Sequence, residues 1–273
     1  MPKWSEAKLL RAPVAVDDVA TRAEGGHYSE FYNMSAFSQG GQFLGLVTNF
    51  RYTGATKLPG PGASRHDGPI DVQIVSSRDG YNWQRCEDRS PVIANGPYDY
   101  DAGCILGVAN GPVTVGDEQW IYYSGITTTH GGSFPKKQIS VCRASWRRDG
   151  FVSLDADSGG GELTTLPFKL AARQLLVNAV TDAGGFVSAE LLNEEGDVIP
   201  SYDSSASSKF SGNSVDGAIM WSGCPIGDDL IGTKVRLRFL LKNASLYSFS
   251  IIEALMPGRT DGNNKVSKKK VTP

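Results

Sequence analysis

The stretch Ser77-Arg-Asp-Gly-Tyr-Asn-Trp83 decides the fold prediction for this chain. An apolar segment, Val72 to Val75, runs directly into the dipeptide Asp79-Gly80. Asp-Gly is a strong hairpin signal, because glycine accepts a positive φ and aspartate can bond its own backbone. Trp83 follows on the returning strand, where a large ring can fill the gap between sheet layers. The stretch therefore predicts a β-hairpin that is closed by a buried tryptophan.

A second Arg-Asp-Gly, at Arg148-Asp149-Gly150, follows an alternating segment and precedes Phe151. Each of the two turns is also preceded by glutamine, an aromatic residue and an apolar strand, at Gln42–Val47 and Gln119–Tyr123. Repetition of such a unit at about seventy residues favours the four-stranded blades of a β-propeller. Ordinary β-meander hairpins are the alternative, since Asp-Gly turns are common.

Composition limits the class of protein. The chain has 273 residues, 32 glycines and 10% aromatic residues, which favours turn-rich all-β structure over helical bundles. Its net charge of -2 gives no reason to expect a nucleic-acid partner or an anionic membrane surface. No apolar run is long enough for a transmembrane helix, and the first residues do not read as a signal peptide, so localisation stays unassigned.

Cofactor and metal chemistry are also not predicted. The four cysteines, Cys86, Cys104, Cys142 and Cys224, have no zinc-like spacing and are expected to be buried free thiols. No other set of histidine, aspartate and cysteine residues has the spacing of metal ligands. We therefore expect no metal and no cofactor, and the sequence does not predict an oligomeric state.

The pattern divides the chain into two folded parts and a tail. Residues 1–155 carry the repeat and are predicted to form a partial propeller, and the glycine-rich stretch 155–161 is the expected boundary. Residues 162–255 contain alternating segments such as Val235 to Leu241, which predict a β-sandwich. Residues 257–273 lack apolar anchors and are predicted to be a disordered tail.

The motifs, taken in order, resemble the five-bladed β-propeller glycoside hydrolases of the invertase, levansucrase and arabinanase kind, nearest to the type of glycoside hydrolase family 32 or 43. Four stretches carry the resemblance: Ser77–Trp83, Gly111–Asp117, Trp120–Gly125 and Arg147–Asp155. The resemblance implies hydrolysis of a glycosidic bond, with a furanoside-type sugar as substrate and paired carboxylates as catalysts. One carboxyl gives a proton to the leaving oxygen while another carries negative charge below the sugar ring.

The chain departs from that family in one respect. It shows about two blades and part of a third, and the blades that would carry the first two aspartates have no counterpart. We therefore expect an N-terminally truncated propeller whose activity as a glycosidase is uncertain. The alternative is a non-catalytic carbohydrate-binding or interaction module.

Candidate site residues follow from the same resemblance. Glu30 opens a predicted inner strand and resembles the general acid, although a solvated glutamate before a strand is the alternative. Asp101 and Tyr100 lie before a short apolar segment and are predicted substrate contacts, with a turn capped by aspartate as the alternative for Asp101. Asp71 and His130 are further candidates for binding a sugar hydroxyl.

Inner strands of successive blades lie side by side around the propeller axis, so their equivalent ends collect at one opening. Glu30, Asp101 and His130 are therefore expected on one open face. The carboxyls of Glu30 and Asp101 should then lie within about 10 Å, the span of a sugar ring and its flanking carboxyls.

Overall fold

The computed structural model describes residues 6–253. Strands make up 49% of the chain and helices 6%, which confirms the all-β prediction. Contacts between Cα atoms separate two compact units, Met1–Trp146 and Arg147–Pro273. The stretch 155–161 thus belongs to the second unit, and the predicted tail at 257–273 lies outside the described residues.

Within the described residues, the first unit has one α-helix and ten strands. The elements are α1 Ala15–Ala23, β1 Tyr28–Gln39, β2 Gln42–Tyr52, β3 Gly54–Ala55, β4 His66–Asp67, β5 Ile70–Ser77, β6 Trp83–Arg85, β7 Cys104–Leu106, β8 Val113–Val115, β9 Glu118–Ile126 and β10 Ile139–Arg147. A 3-10 turn at Asp99–Asp101 precedes β7.

Eight of these strands form one sheet, in the order β1-β2-β5-β7-β9-β10, with β6 on β5 and β8 on β9. Strands β1, β2, β5 and β6 form a four-stranded antiparallel meander. Strand β7 then joins β5 in parallel through the single pair Ile70 and Cys104. The meander has the strand number of one propeller blade, and none of the described sheets closes into a ring.

The two faces of this sheet carry different cores. On the first face, Phe50, Ile70, Cys104 and Ile126 form one buried cluster. On the second face, Val47, Val75 and Trp83 pack together with Phe31 and Met34 on β1. Successive side chains of a strand point to opposite faces. The positions of these apolar residues therefore show on which face each neighbouring polar side chain lies.

The hairpin at Asp79-Gly80 forms as the sequence predicts. Ser77 pairs with Trp83 across β5 and β6, and Gly80 adopts a φ of 76°, which glycine accepts without strain. Oδ1 of Asp79 accepts hydrogen bonds from the backbone N–H groups of Tyr81 and Asn82. The Trp83 indole N–H donates to the carbonyl of Gly80 at 3.0 Å, and its ring is buried. These bonds fix the turn to the ring beneath it.

Helix α1 is an element that the sequence did not predict. The N–H of Val14 donates to Oδ2 of Asp17 at 2.7 Å, which caps the first turn. Oδ1 of Asp17 also lies 2.5 Å from Nη1 of both Arg85 and Arg89. The helix has nine residues and is held by these contacts, so its own periodicity gives little signal.

The second unit is a six-stranded sheet in which β14 and β16 run side by side for 19 residues each. Its strands are β11 Leu154–Ala156, β12 Gly161–Thr164, β13 Phe168–Lys169, β14 Gln174–Leu192, β15 Asn213–Ile219 and β16 Lys234–Ile252. A 3-10 turn lies at Asp228–Leu230. The core of this unit includes Trp221 and the alternating Val235, Leu237 and Phe239, which confirms the buried face predicted for that strand.

The second Arg-Asp-Gly does not repeat the first. Asp149 has a φ of 54° and Gly150 N–H donates to the carbonyl of Arg147, so a turn is present. The next strand, β11, pairs with β16 and not with β10. The two sequence units therefore share a turn but not the strand pairing that follows it. The local sequence specifies the turn, whereas distant residues provide the partner strand.

Candidate functional site: an aromatic face on the first unit

An aromatic cluster covers one end of the first face of the sheet. Ring centroids of Tyr32, Phe50 and His130 lie 4.9 to 5.3 Å apart. Tyr52 continues the cluster toward Tyr28 at 4.7 Å and His66 at 5.3 Å. We call this surface the aromatic face and define it by Tyr28, Glu30, Tyr32, Phe50, Tyr52, His66 and His130.

Strand register explains why these residues meet. Tyr28 pairs with Tyr52 and Glu30 with Phe50 across β1 and β2. Alternate residues on each strand therefore point to the same side. His66 lies on β4, and His130 lies in the loop between β9 and β10, so two further segments join the two strands.

Glu30 is the exposed carboxylate of this face. Burial and the nearby Glu30 carboxylate both raise the pKa of the Tyr28 and Tyr32 phenols, which places the charge close to both rings. No ion pair joins Glu30 to any cation in the part of the chain that the structure describes. Its oxygens are thus open to a ligand on the aromatic face.

His130 is held from several sides. Its Nδ1 lies 3.4 Å from the Tyr32 hydroxyl and 3.2 Å from the carbonyl oxygen of His66. Burial lowers the pKa of His130 by more than the contact with His66 raises it. The imidazole is therefore shifted toward its neutral form, which can both donate and accept a hydrogen bond.

Asp67 fixes the loop that carries His130. Its Oδ1 accepts hydrogen bonds from the N–H groups of Gly68 and Gly131, at 2.8 and 2.9 Å. Burial raises the pKa of Asp67, but hydrogen bonds from Thr129, Gly131 and Gly68 outweigh it and leave the pKa lowered. The backbone-bonded role that a loop aspartate usually plays is the one observed.

A cavity of about 260 Å³ adjoins His130 on the same face of the sheet. Its lining is mostly apolar, with polar groups from Thr129, His130 and Lys137; the other residues are Gly62, Cys104, Leu106, Ile126, Phe134 and Ile139. Cys104 and Ile126 also belong to the cluster beneath Phe50. The same buried apolar residues therefore lie beneath both the cavity and the aromatic face.

Asp71 lies on the second face. It pairs with Asn49 across β2 and β5, one residue away from Phe50 and Ile70, which face the aromatic cluster. Its Oδ2 accepts a 2.5 Å hydrogen bond from Nη1 of Arg51, and its Oδ1 has no hydrogen-bond partner among the described residues. Burial raises the pKa of Asp71 to about 6 against the opposing attraction of Arg51.

Asp101 is buried on the second face as well. Its Oδ2 accepts a 2.7 Å hydrogen bond from the Tyr123 hydroxyl, and its Cβ lies against Gly125. Ile126 belongs to the first face, so Tyr123 and Gly125, which alternate with it along β9, point to the second face. Tyr100 stands beside it in the same turn, exposed and stacked on Tyr98 with ring centroids 5.1 Å apart.

The structure therefore brings together Glu30 and His130, with Tyr32 between them, and separates both from Asp101 and Asp71. The expected convergence of Glu30 and Asp101 on one surface is not found. Glu30 pairs with Phe50 on the first face, where Ile126 also lies, whereas Asp101 lies against Gly125 on the second face. Side-chain alternation along β9 is the physical reason.

Sequence reasoning missed the residues that build the aromatic face around Glu30. Tyr28, Tyr32 and Tyr52 were available as an alternating pattern on two adjacent segments, Tyr-x-Glu-x-Tyr and Phe-x-Tyr. His66 and Lys137 had no such signal, since their positions depend on loops that meet only in the folded chain.

Neither a cluster of metal-ligating side chains nor a membrane-spanning helix is found in residues 6–253. Within that range, no three histidine, cysteine, aspartate or glutamate side chains gather as metal ligands do. The helices described there are too short and too polar to cross a membrane. Cys104 and Cys142 are buried free thiols, as expected, whereas the free thiols of Cys86 and Cys224 are exposed.

Comparison with known proteins gives distant likenesses among solved structures. No protein-family model and no curated protein matches the chain. A complex of BT0996 with RGII has 18% identity, covers 50% of this chain and 35% of its own, and has a TM-score of 0.35. A glycosyl hydrolase from Bacteroides ovatus has 14% identity, covers 64% of this chain and 52% of its own, and has a TM-score of 0.28.

One of these two structures is thus a glycosyl hydrolase, and both likenesses are at low identity and partial coverage. The chain spans between a third and just over half the length of these two structures, 35% and 52%. Because TM-scores this low do not establish a common fold, the function proposed below rests on the residues of this chain alone.

Proposed function

We propose that this protein is carbohydrate-active, and that a saccharide binds on the aromatic face of the first unit. The observation that carries the proposal is the cluster of Tyr32, Tyr52 and His130 rings beside the exposed Glu30 carboxylate. Aromatic rings pack against the C–H faces of a sugar, while carboxylates and imidazoles bind its hydroxyls. A mostly apolar surface with a few polar groups that converge is the usual form of a ligand site.

The proposed architecture is the one that the sequence resemblance implies, a partial five-bladed propeller followed by a β-sandwich. Two features support it in the first unit: the four-stranded meander β1-β2-β5-β6, and the Asp79-Gly80 turn sealed by Trp83. Tyr100 stays a proposed sugar contact, because its ring is exposed and stacked on Tyr98. Asp71 and Asp101 are less suited to that role, since both are buried.

Hydrolysis of a glycosidic bond is a second candidate function. It needs an acid and an ionised carboxylate on either side of the bond. Glu30 would be the acid. Asp67 would be the ionised carboxylate, because its pKa is lowered and it lies beside the loop that carries His130. Asp67 is bonded to two backbone N–H groups, so the binding function has the stronger support.

The test is direct titration of the whole chain with saccharides, with heats of binding and release of reducing sugar measured in parallel. The panel includes fructosides, arabinofuranosides and pyranoside oligosaccharides. Tyr32→Ala should weaken binding by about 2- to 13-fold, the loss of one stacked ring at about 0.5–1.5 kcal/mol. Glu162→Gln, an exposed carboxylate of the second unit, is the control and should bind like the wild type.

Glu30→Gln separates the two functions. A general acid would lose about 10²–10⁴-fold in turnover. If Glu30 only binds the saccharide, Glu30→Gln changes the affinity, and neither the wild type nor the variant releases reducing sugar. If no saccharide of the panel binds, or if Tyr32→Ala binds as the wild type does, the aromatic face is not a sugar site and the proposal fails.

A further inference from the structure

Lys137 is a buried lysine without a carboxylate partner. Its residue is 8% exposed, and its Nζ donates to the carbonyl oxygens of Gly62 at 2.7 Å and His130 at 3.1 Å. No described carboxylate lies within 4.0 Å of Nζ. Two neutral acceptors occupy two of its three N–H donors, and no described carboxylate forms an ion pair with its positive charge.

Such a charge is costly in an apolar setting. Charged side chains are rarely buried unless an opposite charge accompanies them. Here the ammonium group belongs to a residue that lines the cavity of about 260 Å³, whose other walls include Leu106, Ile126 and Phe134. An anion in the cavity would supply both the missing charge and an acceptor for the third N–H.

The cavity also adjoins the proposed sugar site. His130 lines the cavity and packs edge-on against Tyr32 of the aromatic face, with ring centroids 5.2 Å apart. A volume of this size lies just below the usual range of ligand pockets, about 300–1,000 Å³, and suits one small unit. A chain of sugars laid across the aromatic face can therefore place a neighbouring unit beside Lys137.

Resting on the proposed function, we propose that the saccharide is acidic, and that Lys137 binds the carboxylate of a uronic acid unit in this cavity. Thr129 and His130 line the same cavity, and their side chains carry groups that can bind ring hydroxyls. The apolar wall faces the C–H surface of the sugar. Specificity then comes from charge, because a neutral sugar leaves the lysine unbalanced.

The experiment compares three ligands that differ in one group: a galacturonate disaccharide, its methyl ester and the corresponding galactose disaccharide. Calorimetry on the full chain at neutral pH should show the free acid binding about tenfold or more tightly than the ester, as expected for one charge-assisted hydrogen bond. Added salt should reduce that preference. Acetate is included to show whether a free carboxylate without a sugar ring competes.

Two lysine variants complete the design. Lys137→Met should remove the preference for the acid, while Lys136→Met, the exposed neighbour with the same charge, should keep it. If Lys137→Met does not fold, the comparison of acid and ester on the wild-type chain still decides. Equal affinity for acid and ester, a preference that survives in Lys137→Met, or full competition by acetate would each overturn the proposal.

These outcomes differ from those that test the sugar site itself. Neutral saccharides that bind and depend on Tyr32, with no preference for the acid, leave the proposed function standing and remove the role of Lys137. If none of the three ligands binds, the role of Lys137 is removed, and the wider saccharide panel decides separately whether the aromatic face is a sugar site.

Discussion

The hydroxyl of Tyr32 lies 3.4 Å from Nδ1 of His130, although 98 residues separate them in the chain. The contact joins β1 to the loop after β9 and positions the imidazole against Phe50. Tyr32 therefore has two roles in the proposed site, as a ring on which a sugar stacks and as a support for His130.

His130→Ala should weaken saccharide binding by about tenfold, because it removes one ring and one polar contact from the face. Tyr81→Ala, which removes an exposed ring from the β5–β6 hairpin, serves as the control. Titration calorimetry with the best ligand of the panel measures both variants. Equal loss in the two variants would show that aromatic content matters and position does not.

Tyr123→Phe should destabilise the fold through Asp101. The Tyr123 hydroxyl is the donor to Oδ2 of Asp101, and Oδ1 of Asp101 has no partner in the described part of the chain. Without that hydroxyl, a buried carboxyl is left with neither oxygen bonded, which costs about 1–3 kcal/mol. Urea unfolding of Tyr123→Phe beside Tyr122→Phe, whose ring is exposed, checks it. Matching midpoints for the two variants would contradict the prediction.

Stability should fall with rising pH because of Asp71. Its pKa is about 6 in the folded chain against 3.8 for an ordinary aspartate. Between these values the folded state holds a proton that the unfolded state has lost. The free energy of unfolding therefore decreases as pH rises from 4 to 6, by up to about 3 kcal/mol, and is then constant.

Asp71→Asn should lack this component of the pH dependence. The difference in unfolding free energy between wild type and Asp71→Asn is measured by urea titration at pH 4, 5, 6 and 7. This difference should shrink toward neutral pH, because the wild type loses the stabilisation that protonated Asp71 contributes at low pH. Asp182→Asn, which changes an exposed aspartate, should run parallel to the wild type. Parallel curves for Asp71→Asn as well would refute the raised pKa.

Trp83→Ala should be strongly destabilising. The ring is 6% exposed, packs with Val47 and Val75, and donates to the carbonyl of Gly80. Removal of a buried tryptophan ring costs about 3–5 kcal/mol. Tyr81→Ala, two residues away and 66% exposed, should change stability by less than about 0.5 kcal/mol. Thermal unfolding of the two variants under one buffer gives the comparison.

The sequence by itself determined the local geometry of the Asp79-Gly80 hairpin. Turn formation depends on the φ of Gly80 and the side-chain oxygens of Ser77 and Asp79, all within a few residues. The all-β class and the buried stripe from Val235 to Leu241 were predictable for the same reason, since alternation along one strand is a local property. Helix α1 was missed, because contacts from Arg85 and Arg89 stabilise it.

Only the tertiary structure decided which candidate residues share a surface. Glu30 and Asp101 both lie close to the start of a strand in the sequence, yet strand register and alternation put them on opposite faces. The partner of β11 and the meeting of Lys137 with His130 likewise depend on segments far apart in the chain. A shift of one residue in register moves a side chain across the sheet, so face assignment follows from long-range pairing that no local pattern contains.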